Sequence, residues 1–176
     1  FSNGTFIIKF QEANPRTLIL NYGNNLTGYR TFDLDLNQCS EKKLIKTCIA
    51  DVDLEDYNEQ GIVYWFNLKD VINRAAESKP RKLLVDFNKP IVNSLEYTQK
   101  GNQITFYIDI TEKNFDKVLL LDNSDKKPQY KNFCTKLKDG LCTEKRFFSK
   151  GNHNLTFKII DKAGNFEIES VEFYIE

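Results

Sequence analysis

The sequence predicts an all-β chain that folds as two tandem β-sandwiches. Composition favours strands, since aromatic and β-branched residues are frequent, with 14 Phe and 8 Tyr in 176 residues. The chain ends in two alternating strands separated by a tight turn. An internal repeat relates its two halves, and each half has the size of one sandwich domain.

The C-terminal stretch predicts a β-hairpin with one buried side. One face of its first strand carries the apolar residues Leu155, Phe157 and Ile159. The turn motif consists of Asp161, Gly164 and Asn165, and its Gly and Asn tolerate a positive φ. In the second strand, with a bulge near Ser170, five residues are expected to point inward: Phe166, Ile168, Val171, Phe173 and Ile175.

The repeat follows the same order of landmarks in each half. A strand reaches a Glu-x-Asn turn, first at Glu12 and then at Glu112, and returns as an apolar strand. A close pair of cysteines follows, and then an aromatic strand that ends in Asp70 or in Asp161. Landmarks that recur in this order argue against a chance resemblance and predict two copies of one fold.

The boundary between the copies falls in a connector at residues 85–90, where Pro90 cannot donate to a strand ladder and holds its predecessor extended. The predicted domains are immunoglobulin-like β-sandwiches at residues 1–89 and residues 90–176. Strands are predicted in the first domain at residues 5–11, 16–22, 30–36, 46–54, 62–69 and 77–87. In the second domain they are predicted at residues 93–98, 103–110, 116–122, 128–134, 144–149, 154–160 and 166–175.

The two copies differ at their beginnings. The second has a leading strand before the turn at Gly101, whereas the first begins at the equivalent turn, residues 2–4. The first domain is therefore expected to lack its leading edge strand and to expose unpaired backbone groups beside an open groove. One interpretation is that a neighbouring subunit or a preceding segment fills the groove by strand addition. The other is that the sequence simply begins late.

Four cysteines form two close pairs, Cys39 with Cys48 and Cys134 with Cys142, and neither pair has the spacing of a zinc site. Two short disulfides are the simplest interpretation and imply an oxidising compartment; four reduced thiols in a cytosolic protein are the alternative. Sequons predict N-glycosylation at Asn3, Asn25 and Asn154, although Asn154 opens a predicted strand and also suits a turn.

With the turn motif at residues 161–165 and the connector at residues 85–90, the chain resembles the tandem immunoglobulin-like repeats of prokaryotic surface proteins. It looks closest to those of archaeal cell-surface and S-layer-type proteins. In such repeats a D-x-A-G-N turn joins the last two strands, and a V-D-x-x-x-P connector starts the next repeat. The first copy departs from this pattern because Asp70 is followed by no Gly. The resemblance implies glycosylated spacers, lattice components or adhesive modules, although fold alone does not fix function.

The charge balance excludes one class of partner. Lys plus Arg equals Asp plus Glu at 25 each, so the formal net charge is zero. A nucleic-acid-binding surface needs a basic excess, and none is expected here. No apolar run approaches a membrane span of about 20 residues. Since the chain starts with Phe1 and has no Met, we expect it to be part of a longer or processed polypeptide.

No catalytic constellation is visible. His153 is the only histidine and no nucleophile signature surrounds it, so we interpret it as a solvated loop residue. A glycosidase-type carboxylate pair is an alternative that no spacing marks out. In the cluster Tyr64-Trp65-Phe66, core packing is the preferred interpretation of Trp65, and a platform for sugar or protein is the alternative. We expect the chain not to be an enzyme.

No cofactor is expected from the sequence, with calcium as the single candidate. Asp86 and Asn88 in the connector are its candidate ligands. Further hard oxygens come from Asp33 with Asp35, Asp51 with Asp53, and Glu55 with Asp56. The alternative is that these carboxylates form the solvent face of half-buried strands.

Together these patterns favour a non-catalytic structural or adhesive module of an extracellular surface protein, which assembles through edge strands or lattice contacts. Its expected partners are neighbouring copies or other surface proteins, with a glycan as a further candidate. The alternative is a carbohydrate- or protein-binding accessory domain pair of a larger secreted enzyme.

Overall fold

The computed structural model describes all residues from Phe1 to Glu176. They form two compact units, Phe1–Phe87 and Asn88–Glu176, called unit 1 and unit 2 below. Almost all regular structure is β-strand, and each unit has two antiparallel sheets that enclose one apolar core. The sequence-based prediction of an all-β fold with tandem sandwiches is confirmed. None of the helices has the length and apolar character needed to cross a membrane.

Unit 1 contains eight strands: β1 (Thr5–Phe10), β2 (Pro15–Asn24), β3 (Gly28–Asp33), β4 (Ser40–Lys42), β5 (Ile45–Asp51), β6 (Gly61–Asp70), β7 (Ala75–Glu77) and β8 (Arg81–Leu84). Two short 3₁₀ helices, Leu36–Gln38 and Glu55–Tyr57, lie between strands. One sheet has the order β1-β5-β4, and the other has the order β3-β2-β6-β7 with β8 also paired to β6.

Unit 2 contains seven strands: β9 (Ile91–Lys100), β10 (Gln103–Thr111), β11 (Phe115–Asp122), β12 (Lys131–Cys134), β13 (Leu141–Phe147), β14 (Gly151–Asp161) and β15 (Phe166–Ile175). Its sheets have the orders β13-β10-β9 and β12-β11-β14-β15. The alternation of large apolar residues along β10 and β14 fills the core from both sheets.

Strand pairing aligns the two units position by position. Ile8 of β1 lies opposite Cys48 of β5, and Ile108 of β10 lies opposite Cys142 of β13. β1 and β10 are therefore equivalent strands, as are β5 and β13, with an offset of 108 − 8 = 100 along the first pair. β9 has no counterpart in unit 1, because no strand pairs with β1 on the side away from β5.

The turn that follows β14 is held by the side chain of Asp161. Its carboxylate accepts hydrogen bonds from the backbone N–H of Ala163 (2.8 Å) and of Asn165 (2.9 Å), while Gly164 adopts a φ of +93°. The buried Asp161 carboxylate thus accepts hydrogen bonds from backbone N–H groups of the turn. This is the Asx-turn geometry that Asp favours.

Unit 1 contains the same turn after β6 without a glycine. Asp70 accepts from the N–H of Ile72 and of Arg74, and Asn73 takes the positive φ, at +65°. Although no Gly follows Asp70, the turn is the same, because Asn73 stands where unit 2 has Gly164 and Asn tolerates the left-handed region.

Two strand predictions need correction. The last hairpin has an unbroken register from Ile160 opposite Phe166 to Gly151 opposite Ile175, so the predicted bulge near Ser170 is absent. Phe166 and Ile168 consequently point outward and are 41% and 45% exposed, whereas Phe173 is buried. In unit 1 the predicted strand at residues 77–87 is split into β7 and β8, since Pro80 interrupts the ladder on β6.

Candidate docking site

The edge of β1 is the most distinctive feature of unit 1. Side chains of β1 alternate, so that Phe6, Ile8 and Phe10 face the core, while Thr5, Ile7 and Lys9 are exposed. The N–H of Val52 donates to the carbonyl of Gly4 at 3.0 Å, which makes this pair a hydrogen-bonded one in the β1–β5 register. Because hydrogen-bonded pairs alternate in antiparallel ladders, the even-numbered residues bond to β5. The N–H and C=O groups of the three exposed residues therefore point to the open edge.

In unit 2 the equivalent groups are paired. The N–H of Ile110 donates to Gly140, so the even-numbered residues of β10 again bond to β13. The odd-numbered residues bond to β9, where Tyr107 lies opposite Glu96 and Asp109 opposite Ser94. The exposed edge of β1 thus has the hydrogen-bonding pattern that β9 satisfies in unit 2.

A cleft of about 240 Å³ runs beside this edge of unit 1. Its lining comes from β1 and β6 and from the break between β7 and β8: Ile7, Ile8, Lys9, Tyr64, Phe66, Ser78, Lys79 and Arg81. Three of these residues are cationic and none is acidic. Lys9, Lys79 and Arg81 form no ion pair within the chain. The cleft therefore combines unpaired backbone groups, an apolar floor and a cationic rim.

In unit 2, side chains of β9 cover the corresponding junction between the two sheets. Val92 and Leu95 pack against the core, and the ring of Tyr97 lies 6.2 Å from that of Phe106 and 5.7 Å from that of Phe173. These contacts cover the junction between the two sheets, which adds apolar burial to the ladder hydrogen bonds.

In unit 1, Tyr64 covers part of the equivalent junction between the two sheets. Its ring lies 4.9 Å from that of Phe6 in an edge-on arrangement. Counting back from the turns at Asp70 and Asp161, the residue of unit 2 equivalent to Tyr64 is Leu155. Unit 1 therefore has a larger side chain than unit 2 at this position.

Trp65 is not a core residue, contrary to the preferred interpretation from sequence. It is half-buried on the outer face of β6, opposite Asn21, while Tyr64 and Phe66 face the core. Tyr29, which is 53% exposed, meets the indole edge-on with ring centroids 6.0 Å apart. Beside them Asn21 Nδ2 donates to Asn67 Oδ1 at 2.9 Å. The aromatic pair and the amides form a second exposed surface of unit 1.

His153 is likewise buried in β14 rather than solvated in a loop. Its Nδ1 lies 2.8 Å from Asp122 Oδ2, and its Nε2 lies 2.9 Å from the carbonyl oxygen of Ser149. Burial by itself lowers the pKa of His153. The hydrogen bond to the Ser149 carbonyl and the nearby Asp122 carboxylate outweigh this effect and raise the pKa above its usual value. With two acceptors and no nucleophile in contact, His153 acts as a structural group.

The cysteines form the two predicted disulfides, Cys39–Cys48 and Cys134–Cys142. In unit 2 the bond joins β12 in one sheet to β13 in the other, whereas in unit 1 it joins β5 to the residue that precedes β4 in the same sheet. Disulfides of this kind are typical of proteins from oxidising compartments.

The three sequons differ in access. Asn3 and Asn25 are exposed, whereas Asn154 is half-buried in β14 and its Nδ2, the atom that would carry a glycan, donates to Glu172. Glycosylation at all three stays a prediction.

The calcium candidates belong to different elements of the fold. Asp86 is buried in unit 1, and Asn88 lies at the start of unit 2, where its carbonyl accepts from Asn165 Nδ2. The other acidic residues make structural contacts in four cases: Asp35 and Asp53 accept backbone N–H groups, Asp51 accepts from the hydroxyl of Thr5, and Asp56 pairs with Arg30. Calcium binding stays a prediction.

No protein-family model and no curated protein sequence matches this chain. Among solved structures, the FN1–FN3 domains of chicken CNTN1 match with a TM-score of 0.64 and 10% identity, over 99% of this chain. This chain covers 64% of that structure, less than two thirds of its length. The fibronectin(III)-like modules of Clostridium thermocellum CbhA match with a TM-score of 0.51 and 12% identity, over 99% of this chain and 87% of theirs. These similarities establish tandem fibronectin-III/immunoglobulin-like domains as the fold.

Proposed function

We propose that this chain is a non-catalytic structural and adhesive part of an extracellular surface protein, and that it binds its neighbours by strand addition at the edge of β1. The observation that carries the proposal is the difference between β1 and β10: one edge is bare and the other is paired with β9. An antiparallel strand at β1 would satisfy the backbone groups of Thr5, Ile7 and Lys9 and extend the sheet.

Extracellular location is supported by two disulfides and by exposed sequons at Asn3 and Asn25. The D-x-A-G-N turn and the connector favour an archaeal surface protein of the S-layer type as the source. Mass spectrometry of the native protein tests this part: glycan on Asn3 or Asn25 with no free thiol supports it, and an unmodified, reduced chain contradicts it.

Strand addition is tested by supplying a strand within the full chain. The sequence of Ile91–Lys100 is fused ahead of Phe1 through a Gly-Ser linker, and unfolding of unit 1 is followed by the fluorescence of Trp65, the single Trp. We expect the midpoint of unit 1 to rise, because the added strand pairs with β1 and covers the cleft. A matched fusion with Pro replacing the residues that correspond to Ser94, Glu96 and Thr98 cannot donate to the ladder and should have no effect. An unchanged midpoint with the intact strand would refute docking at this edge.

A second candidate, carbohydrate binding, is favoured by the outer surface around Trp65 and Tyr29. Aromatic faces pack on apolar sugar faces, and the amides of Asn21 and Asn67 can bond hydroxyl groups. Glycan-array binding that is lost in Trp65→Ala and kept in Phe147→Ala, which removes an exposed aromatic of unit 2, would support this function. No binding to any glycan would exclude it in favour of strand addition.

A further inference from the structure

The exposed aromatic pair of unit 1 lies beside a glycosylation sequon. The ring of Tyr29 meets the indole of Trp65, and its hydroxyl group donates to Asn25 Oδ1 at 3.3 Å. Asn25 opens the sequon at residues 25–27, and its Nδ2 bonds no other group of the chain. The atom that carries a glycan in such sequons is therefore positioned at the outer end of Tyr29.

The turn that presents Asn25 is fixed by hydrogen bonds on either side of it. Asn24 Oδ1 accepts from the backbone N–H groups of Leu26 (3.0 Å) and Thr27 (2.7 Å). Asn24 Nδ2 and the hydroxyl of Thr27 both donate to Gln60 Oε1, at 2.9 Å and 2.8 Å. Asn25 itself is exposed. A glycan on this residue therefore starts from a defined position, with the aromatic pair next to it.

From Tyr29 the aromatic surface continues across β2. Gly23 lies opposite Tyr29, and a Cβ at this position would meet the carbonyl oxygen of Gly28. With no side chain at Gly23, the tyrosine ring can lean over β2 towards Trp65, which lies opposite Asn21. Tyr and Trp rings combine apolar faces with a polar edge. Such rings suit a pyranose sugar, which has an apolar C–H face and a rim of hydroxyl groups.

Unit 2 has neither feature at the equivalent positions. By the alignment of β6 with β14, Thr156 lies where unit 1 has Trp65. Asp125 lies where unit 1 has Asn25, with the offset of 125 − 25 = 100 that also relates β1 to β10, and it starts no sequon. The aromatic pair and the sequon in the turn thus occur together in one copy of the repeat and are both absent from the other.

We propose that the surface around Tyr29 and Trp65 binds the N-linked glycan of this same chain, attached at Asn25, whose first sugars pack on the two rings. This inference rests on the extracellular, glycosylated protein proposed above, and it identifies the carbohydrate that the surface binds. Attachment keeps the sugars at a high effective concentration beside the rings, which an external glycan does not have. The surface is therefore open to external glycans only when Asn25 is unmodified.

The test uses the full chain secreted from a eukaryotic host that attaches N-glycans. Asn3→Gln and Asn154→Gln leave Asn25 as the only acceptor. Because Trp65 is the single Trp, acrylamide quenching of its fluorescence reports access to the surface. We expect weaker quenching in the glycosylated chain than after a further Asn25→Gln change, and NOEs between sugar protons and the rings of Tyr29 and Trp65. The unfolding midpoint of unit 1 should rise by about 4 °C, the size of shift expected from a modest gain in apolar contacts in a domain of this length.

Two controls locate the effect on this surface. A chain whose single glycan is on Asn3, ahead of β1 in the other sheet, should be quenched as strongly as the unglycosylated chain. Tyr29→Ala should abolish the rise in midpoint that the glycan on Asn25 causes. Tyr174→Ala removes an exposed ring of unit 2 instead and should preserve that rise.

The outcomes separate this inference from the proposed function. Unchanged quenching and midpoint in a chain that carries a glycan on Asn25 would overturn the inference and leave strand addition standing. Equal binding of array glycans by the glycosylated chain and by its Asn25→Gln variant would also overturn it, because the surface would then be open to external sugars. A native protein with glycan on Asn3 and none on Asn25 would overturn the inference while still supporting the extracellular location.

Discussion

Unit 1 and unit 2 are built on the same repeat and differ most at their leading edges. β10 lies between β13 and β9, whereas β1 has β5 on one side and a cleft on the other. The equivalent residues Phe6 and Phe106 are nevertheless both buried, at 3% and 0% exposure. Phe6 is therefore buried although no strand described here pairs with the outer edge of β1.

The means of closure differ between the units. In unit 2 Tyr97 of the leading strand packs on Phe106, and in unit 1 Tyr64 of the opposite sheet packs on Phe6. The tyrosine of unit 1 protects the core without satisfying the edge of β1, because its side chain cannot replace a ladder of backbone hydrogen bonds. An edge strand has two roles: it covers the junction between the sheets, and it hydrogen-bonds to the backbone of its neighbour. In unit 1, Tyr64 takes over the first role and no described residue takes over the second.

Proline scanning is expected to give the largest difference between the units. Tyr107→Pro removes a donor that bonds to β9 and should destabilise unit 2 by about 3 kcal/mol, the upper range for a lost hydrogen bond that leaves its acceptor unpaired. Ile7→Pro removes the equivalent donor at an unpaired edge, where proline is tolerated, and should cost unit 1 much less. Urea unfolding measures both, with Trp65 fluorescence for unit 1 and amide exchange in β10 for unit 2.

Ile8→Pro is the matched control within unit 1. Because the N–H of Ile8 bonds to β5, its removal should destabilise unit 1 as much as Tyr107→Pro destabilises unit 2. A large loss of stability in Ile7→Pro would mean that the outer backbone groups of β1 are paired after all.

Removal of the disulfides should have the next largest effects. The bonds close loops of similar length, with sequence separations of 9 and 8, so loss of either one costs about 2–3 kcal/mol by chain entropy. Cys134–Cys142 also holds two sheets together. The double variant Cys134→Ala with Cys142→Ala should therefore lower the stability of unit 2 more than Cys39→Ala with Cys48→Ala lowers the stability of unit 1. Equal losses would show that linking the sheets adds nothing to loop closure.

The sequence predicts much of this fold, because each unit consists of local alternation and turn chemistry that can be read residue by residue. The unpaired outer edge of β1 was predictable as well, since the repeat aligns residues 2–4 with the turn that follows the leading strand of unit 2. The cationic cleft was not, because Lys79 and Arg81 are distant from Lys9 in sequence and meet it only through the strand break at Pro80.

Errors arose where register or long-range partners decide a side chain's environment. Trp65 was assigned to the core because alternation defines two faces without saying which one is buried. His153 was assigned to solvent because its acceptor, Asp122, is provided by a strand 31 residues earlier. The departure from the D-x-A-G-N pattern after Asp70 does not change the turn, since Asn73 and a glycine are interchangeable at positive φ.

The interchange of Asn and Gly at this turn position predicts a smaller effect on stability, about 1 kcal/mol. Gly164 has a φ of +93° and Asn73 a φ of +65°. Ala is strained at positive φ, so Gly164→Ala in unit 2 and Asn73→Ala in unit 1 should each lower the stability of the unit by about 1 kcal/mol. Gly164→Asn should cost less than Gly164→Ala, because unit 1 uses Asn at this position. Thermal unfolding of the three variants tests the order, and an Asn variant as unstable as the Ala variant would contradict equivalence of the two turns.

The smallest expected effect is a pH dependence confined to unit 2. The pKa of His153 is raised above its ordinary value of 6.5 in the folded chain. Its protonation therefore stabilises unit 2 fully below about pH 6.5, and this contribution is lost as pH rises through the folded pKa. Since His153 is the only histidine, unit 1 is an internal control, and its midpoint should stay constant over the same range. NMR titration of the imidazole measures the pKa directly, and Asp122→Asn should lower it by removing the carboxylate beside Nδ1. A folded pKa below 6.5, or a stability of unit 2 that rises with pH in this range, would refute stabilisation by the protonated ring. It would leave His153 as an imidazole hydrogen-bonded to Asp122 and Ser149 without this pH-dependent contribution, at a place where unit 1 has the apolar side chain of Ile62.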